Sequence, residues 1–311
     1  MSQSISVVIC AYSLDRWDDL LAAVASVEAQ SHRPLETIVV IDRNEALAER
    51  ARSELHGDAV RVVANDAEQG LSHARNAGIA VARGDIVAFL DDDATAGPEW
   101  LQVLAAAYER DDAVVGVGGS IEPRWVAARP ASFPPEFDWV VGCTYRGHPT
   151  TRTPVRNLIG ANMSFRRELF EEAGGFRSEI GRVGTRPVGC EETEFCLRVA
   201  RVRPGSVILY EPAARVLHSV PASRGTWGYF VRRCFGEGIS KAVVASVAGR
   251  SGALRTERSY VARTITRGIA AALPAALRGD FAAGGRAARM LVGVTAAAVG
   301  YVYETAAARR R

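Results

Sequence analysis

Short β-branched runs alternate with helical periodicity from the start of the chain to Leu90, and this alternation restricts the possible folds more than any other feature of the sequence. Ser6 to Cys10 is an unbroken run of strand length, after which Leu20, Val24 and Val27 recur at helical spacing behind Asp18 and Asp19. The same pattern predicts strands over Thr37–Ile41, Val60–Ala64 and Ile86–Leu90, with helices over Ala46–Leu55 and Leu71–Ala82. Strands that are apolar throughout are buried on both faces, and helices between them are the crossovers that parallel pairing requires. The expected fold class is therefore α/β, a single mostly parallel, Rossmann-like sheet with flanking helices.

In open sheets of this kind ligands bind beyond the carboxyl ends of the strands. Here those ends carry Tyr12, Asp42, Asp66 and the run Asp91-Asp92-Asp93. Three adjacent carboxylates closing an apolar strand are electrostatically costly unless a cation compensates them. Alternation along an extended chain puts Asp91 and Asp93 on one side and Asp92 on the other. Hard carboxylate oxygens favour magnesium or manganese carrying substrate phosphates. The competing reading is a solvated acidic turn capping a helix that begins near Pro98. Upstream, in GLSHARNAGIAVARGD, Arg75 sits on a helix starting near Leu71, placed to face an anion at the sheet rim. A solvent-exposed Arg75 is the alternative.

Beyond Gly118 the periodicity loosens into a Pro-, Trp- and Arg-containing stretch through Thr153, as a loop insertion bordering a second substrate would. From Trp227 onward the chain is helical, alanine-rich and basic. Val261, Ile265, Ile269 and Leu273 mark one face with Arg263 and Arg267 opposite, so this helix either lies on an anionic membrane surface or packs on the domain core. The uncharged run Met290–Tyr303 is short for a bilayer crossing, which takes roughly twenty apolar residues. Composition excludes several classes. At 311 residues, 48% hydrophobic and 23% charged, the chain is neither disordered nor polytopic, and its net charge of +3 includes a single lysine, Lys241, with no nucleic-acid motif beside it. Five cysteines without a CxxC pair signal neither a disulfide framework nor a zinc site, and the start has no basic region ahead of an apolar core. A cytoplasmic protein is expected, on the inner face of the membrane if its tail docks there.

The segments VVICAYS, ETIVVID, GLSHARNAGIAVARGD and FLDDD occur in an order and spacing that resembles the inverting family-two glycosyltransferases of A-type fold. The likeness continues through IGANMSFRRELFEEAGGF (Ile159–Phe176) and CEETEFCLRV (Cys190–Val199). It implies a nucleotide-sugar-binding half over residues 1–118, an acceptor-binding half over 119–225, and a helical appendage over 226–311. It further implies that Ala11 and Tyr12 line the base pocket, that Asp42 contacts the nucleotide, and that Arg75 approaches the base or diphosphate. Asp91 and Asp92 would serve ribose and nucleotide, Asp93 would be the direct ligand of Mg2+ or Mn2+, and His218 would complete the metal site. Gly160 and Asn162 would shape the donor-sugar and acceptor pocket, with Arg232 and Arg233 available for phosphate. The catalytic base would be Glu192, where the family has aspartate, with Glu191 as the substitute. Ala11 also departs from the family, which has a hydroxyl residue there.

The resemblance implies transfer from a nucleoside-diphosphate sugar, with UDP the family-level donor nucleotide, to a hydroxyl-bearing or lipid-linked acceptor by single displacement. The alternatives are a polyprenyl-phosphate sugar synthase and a catalytically silent nucleotide-binding protein. A nucleotidyltransferase would begin with a glycine-rich loop that Cys10–Ser13 lacks.

Overall fold

In the computed structural model, which describes residues 3–57, 59–180, 189–248 and 255–310, the early apolar runs form strands β1 (Ile5–Ala11), β2 (Glu36–Asp42), β3 (Val60–Asn65) and β4 (Ile86–Asp91). Helices α1 (Trp17–Glu28), α2 (Glu45–Glu54) and α3 (Leu71–Val81) connect them, and the four strands pair in parallel. The period of two decides which side each residue serves. Ile5, Val7 and Ile9 of β1 pack with α1 and α2, whereas Val8 packs with Ala74 of α3 on the other face. Burial on both faces is why these strands carry no polar alternation.

Strand β5 (Ala94–Ala96), helix α4 (Trp100–Glu109), and strands β6 (Val114–Gly118), β7 (Ile121–Trp125), β8 (Thr153–Pro154) and β9 (Asn162–Arg166) follow. Then come α5 (Glu168–Glu172), α6 (Glu191–Val202), β10 (Val207–Tyr210) and β11 (Val216–Val220). The main sheet runs β3-β2-β1-β4-β9-β6-β10-β8, and only β9 and β8 oppose the common direction. The expectation of one mostly parallel sheet with flanking helices is met. The segment Ile159–Phe176 supplies the antiparallel β9, inserted between β4 and β6.

Two compact units emerge from the contacts. The first comprises Met1–Glu122, Pro149–Gly184 and Glu191–Ser219, and the second Pro123–His148, Thr185–Cys190 and Val220–Arg311. Residues 123–148 thus group with the helical tail, a division the sequence did not suggest.

Within the second unit, helix α7 (Trp227–Ala248) lies along the helix Phe281–Ala308. Their backbones nearly touch: a Cβ at Gly238 would strike the Ala297 carbonyl, and one at Gly300 the Phe235 carbonyl. Phe133 and Phe137 close the base of this pair against Phe230. The face expected to be amphipathic is divided, since Ile265 is buried and Ile269 half-buried, whereas Val261 and Leu273 are exposed. Among the described residues one helix, Phe281–Ala308, is long and apolar enough to cross a membrane. The run Met290–Tyr303 is therefore the middle of a 28-residue helix, because the alanine-rich stretch before it is helical as well.

Glu237 of α7 tests the second unit's electrostatics. Burial alone would raise its pKa, but Lys241 at 3.3 Å and Arg233 at 3.2 Å overcome this and lower it from 4.5 to about 2. A depressed acid pKa contributes stability that is complete above the unfolded value of 4.5 and is lost as pH falls through 2. Glu237→Gln is expected to lower stability by about 3 kcal/mol at pH 7 and by progressively less in acid. Denaturant midpoints of both proteins across pH 2.5–7 measure this, and a pH-independent difference would refute it.

Candidate active site

The site is assembled at the carboxyl ends of β1, β2 and β4, all within the first unit. β4 ends in Asp91, a tight turn carries Asp92 and Asp93, and β5 leads away. β11 pairs antiparallel with β5 so that His218 lies opposite Ala94, and the Ser219 N–H donates to the Asp93 carbonyl at 2.7 Å. This register brings His218 Nε2 to 3.1 Å from Asp93 Oδ1. One ligand atom each from Asp91, Asp93 and His218 lies within 4.8 Å of the others. Two carboxylates and an imidazole suit manganese at least as well as magnesium. Asp92, in the turn, is directed to Arg16 instead.

Sequence reasoning missed Arg16. It sits in the turn Leu14–Arg16 after β1, where its Nη1 lies 2.8 Å from Asp92 Oδ1 and 3.2 Å from Asp93 Oδ2. Its guanidinium also stacks over the Tyr12 ring at 5.2 Å. Burial opposes the charge on Arg16, but Asp92 and Asp93 outweigh it and its pKa is raised. Burial pushes the Asp92 carboxyl up to about 7; Arg16 opposes this, and the charges of Asp93 and Asp91 add to it. The acidic turn is therefore no solvated cap, since Asp92 and Asp93 are both buried.

Arg75 is 2% exposed, which disposes of the surface reading. Its Nη1 donates to Glu191 Oε1 at 2.7 Å, its Nη2 to the Gly160 carbonyl at 3.3 Å, and Asp91 lies 3.6 Å away. Burial would lower its pKa, yet Glu191 and Asp91 raise it. Gly160 is needed here, because a Cβ at that position would stand 2.7 Å from Arg75 Nη2. Two guanidiniums thus face four carboxylates in ion-pair contact, Asp91, Asp92, Asp93 and Glu191. The residual negative charge matches a divalent cation.

The remaining expected residues fall into three groups. Ala11 ends β1 in the core and Tyr12 is exposed beside it. Asp42 accepts from Asn65 Nδ2 at 2.7 Å and from the Gly70 N–H at 3.0 Å, so it ties down the loop ahead of α3 while holding the rim. Cys10 stays a thiol: burial pushes it up to about 12 against Arg75, with the nearby carboxylates adding. Glu191 and Glu192 open α6. Glu191 is buried in its pair with Arg75, while Glu192 is half-buried and acts electrostatically on Arg75.

Asn162 corrects an expectation. Its side chain does not face a pocket but is buried in the sheet, accepting from Trp100 Nε1 at 2.8 Å and donating to the Ser120 and Ala214 carbonyls. Arg232 and Arg233 belong to the second unit, on α7, where Arg233 pairs with Glu237.

The family described as Glycosyl transferase family 2 matches residues 6–174. A glucosyl-dolichyl phosphate glucuronosyltransferase of Haloferax volcanii is 40% identical over 242 residues, 77% of either chain. The succinoglycan biosynthesis protein ExoM of Rhizobium meliloti is 26% identical over 245 residues, 75% of this chain and 72% of its own. A mannosyltransferase of Pyrobaculum calidifontis, solved with GDP-Man and Mn2+, superposes with a TM-score of 0.61 at 19% identity, covering 98% of this chain and 88% of that one. GalNAc-T7, solved with UDP, GalNAc and Mn2+, gives 0.54 at 19% identity over 83% of this chain, which spans only 54% of its length. At such identities the structural likeness concerns the fold.

Proposed function

This chain belongs to glycosyl transferase family 2, and on that premise we propose that it moves a sugar from UDP onto a hydroxyl of a lipid-linked acceptor, inverting the anomeric carbon. It is a glycosyltransferase that uses a nucleotide sugar; the donor nucleotide, the stereochemistry and the acceptor are the proposal. The observation that carries it is the Asp91, Asp93 and His218 trio standing beside the buried Arg75 and Glu191 pair.

In this reading Asp91, Asp93 and His218 hold Mg2+ or Mn2+, which when bound supplies positive charge to the donor diphosphate. Tyr12 offers its exposed ring to the base, Asp92 and the Asp42 rim face the nucleoside, and Arg75 adds fixed charge near the phosphates. Glu192 accepts the proton of the acceptor hydroxyl. The oxygen bonds to the anomeric carbon as the bond to diphosphate breaks, releasing nucleoside diphosphate. Arg16 keeps Asp92 and Asp93 from repelling the fold apart before the donor arrives.

The lipid-linked acceptor is supported by the Haloferax volcanii relative, whose name specifies a glucosyl-dolichyl phosphate, and by the tail. The helix Phe281–Ala308 exposes Leu291, Val292, Val299 and Val302, its first residue Phe281 is 92% exposed and Leu277 ahead of it 89%, and Arg309 and Arg310 follow it. An apolar stripe bounded by arginines fits the interface of an anionic bilayer on which the enzyme would lie. The acceptor named for that relative already bears a sugar, which favours hydroxyl transfer over a polyprenyl-phosphate sugar synthase. Incubation with a panel of UDP- and GDP-sugars, Mn2+ and either glycosylated or bare polyprenyl phosphate in anionic vesicles tests the reading. Transfer to the glycosylated lipid is expected. Transfer only to the bare phosphate would establish the synthase, and nucleotide binding without turnover would establish a silent binder.

A further inference from the structure

Arg289 is the most unusual charged group outside the active site. It lies on the helix Phe281–Ala308, is 3% exposed, and donates through Nη2 to the Gly225 carbonyl at 3.1 Å. Its Nε and Nη1 have no hydrogen-bond partner among the described residues, and no carboxylate pairs with it there. Its guanidinium stands over the rings of Trp227 at 4.7 Å, Phe133 at 5.3 Å and Phe230 at 5.7 Å. Aromatic faces offset only part of the desolvation of a buried charge. Two guanidinium nitrogens left without an acceptor are a further penalty that a purely structural arginine avoids.

The place where Arg289 is aimed matters. Gly225 lies just ahead of Trp227, the first residue of the 22-residue helix α7, and the first turn of α7 holds no acidic residue. Thr226 Oγ1 accepts from the Tyr229 N–H at 3.3 Å, so the positive end of the helix is capped by a hydroxyl but offset by no acidic side chain of its own first turn. Arg232 adds a guanidinium on the same turn, since its Nη1 would stand 3.3 Å from a Cβ placed on Gly228. Trp227 covers Arg289 while remaining 42% exposed itself, so its ring stands between guanidinium and solvent.

We propose that Arg289 and the N-terminus of α7 form a binding site for a phosphate group, uncovered when the Trp227 side chain turns aside. The ligand class is a phosphate monoester or diester, from a lipid headgroup or from free phosphate. The N–H donors left free on Nε and Nη1 of Arg289 can each be met by a phosphate oxygen. The exposed Phe281 lies eight residues earlier on the same helix, about 12 Å along its axis, so a lipid whose chain meets Phe281 can present its phosphate near Arg289. This last link rests on the lipid-linked acceptor proposed above.

The full-length chain and Arg289→Met are compared in two arms, thermal unfolding with inorganic phosphate or pyrophosphate, and co-sedimentation with phosphatidylcholine vesicles with and without phosphatidic acid. The unmodified protein is expected to respond to at least one phosphate source, and Arg289→Met to bind it roughly tenfold or more weakly. A response to vesicle-borne phosphate alone identifies a headgroup, and a response in both arms a general phosphate site. Should Arg289→Met not fold, Arg289→Lys replaces it, and a severalfold loss is expected because an ammonium lacks the planar fork. Equal responses in variant and unmodified protein, or no response to any phosphate, would overturn the site. Donor turnover is read separately: its absence in the unmodified protein sinks the transferase reading and leaves the phosphate site standing.

Discussion

Asp93→Asn abolishes metal-dependent sugar transfer, with kcat/KM expected to fall at least about a hundredfold, the upper range for losing a group that merely supports a metal ligand. The size follows from Asp93 having three tasks. Oδ1 faces His218 Nε2 at 3.1 Å, Oδ2 faces Arg16 Nη1 at 3.2 Å, and the carboxylate contributes to the only three-residue metal cluster among the described residues. An amide keeps the shape but loses the charge, and its NH2 cannot ligate a cation. The fold should survive, because removing one of three crowded carboxylates relieves the buried Asp92, whose pKa its neighbours raise. Nucleoside diphosphate release across a manganese titration, with a thermal unfolding control, measures both. Full turnover at ordinary manganese would remove Asp93 from the metal site.

The frame of the first unit was legible because burial on both faces leaves an unmistakable trace. SVVIC, TIVVI and IVAFL have no room for polar alternation, and the structure extends each by only a residue or two. The grouping of Asp91 with Asp93, away from Asp92, is expected from strand alternation, although β4 ends at Asp91 and the turn that follows does the sorting. What escaped was whatever depends on chain segments meeting from far apart. Arg16 sits in a polar turn without periodicity, and its value comes from Asp92 arriving 76 residues later. Asn162 reads as a pocket residue in its motif, yet the antiparallel insertion of β9 turns it toward Trp100 and the sheet interior. Residues 123–148 read as a loop because of their prolines and loosened periodicity, although Phe133 and Phe137, four residues apart, both anchor the second unit against Phe230. Aromatic anchors carry no local signal of what they will pack on.

The second large effect separates two neighbouring glutamates that the sequence could not rank. Glu192→Gln is expected to cut transfer to the acceptor by about 10²–10⁴-fold while donor binding persists, the loss typical of a removed general base. Glu191→Gln is expected to fail differently. Its carboxylate holds Arg75 at 2.7 Å with both side chains almost wholly buried, so neutralising it strands a guanidinium whose other contacts are the Gly160 carbonyl and Asp91 at 3.6 Å. Breaking a buried pair from one side costs about 3–5 kcal/mol, so Glu191→Gln lowers the unfolding midpoint and weakens donor binding together. Glu192 is half-buried in the first turn of α6, so of the two carboxylates it is the more accessible to an acceptor hydroxyl. Donor hydrolysis, nucleotide-binding affinity and unfolding of the two variants, measured side by side, decide the assignment. If Glu192→Gln transfers at the unmodified rate while Glu191→Gln keeps its stability and loses turnover, the base is Glu191 and the longer reach of Glu192 serves some other contact.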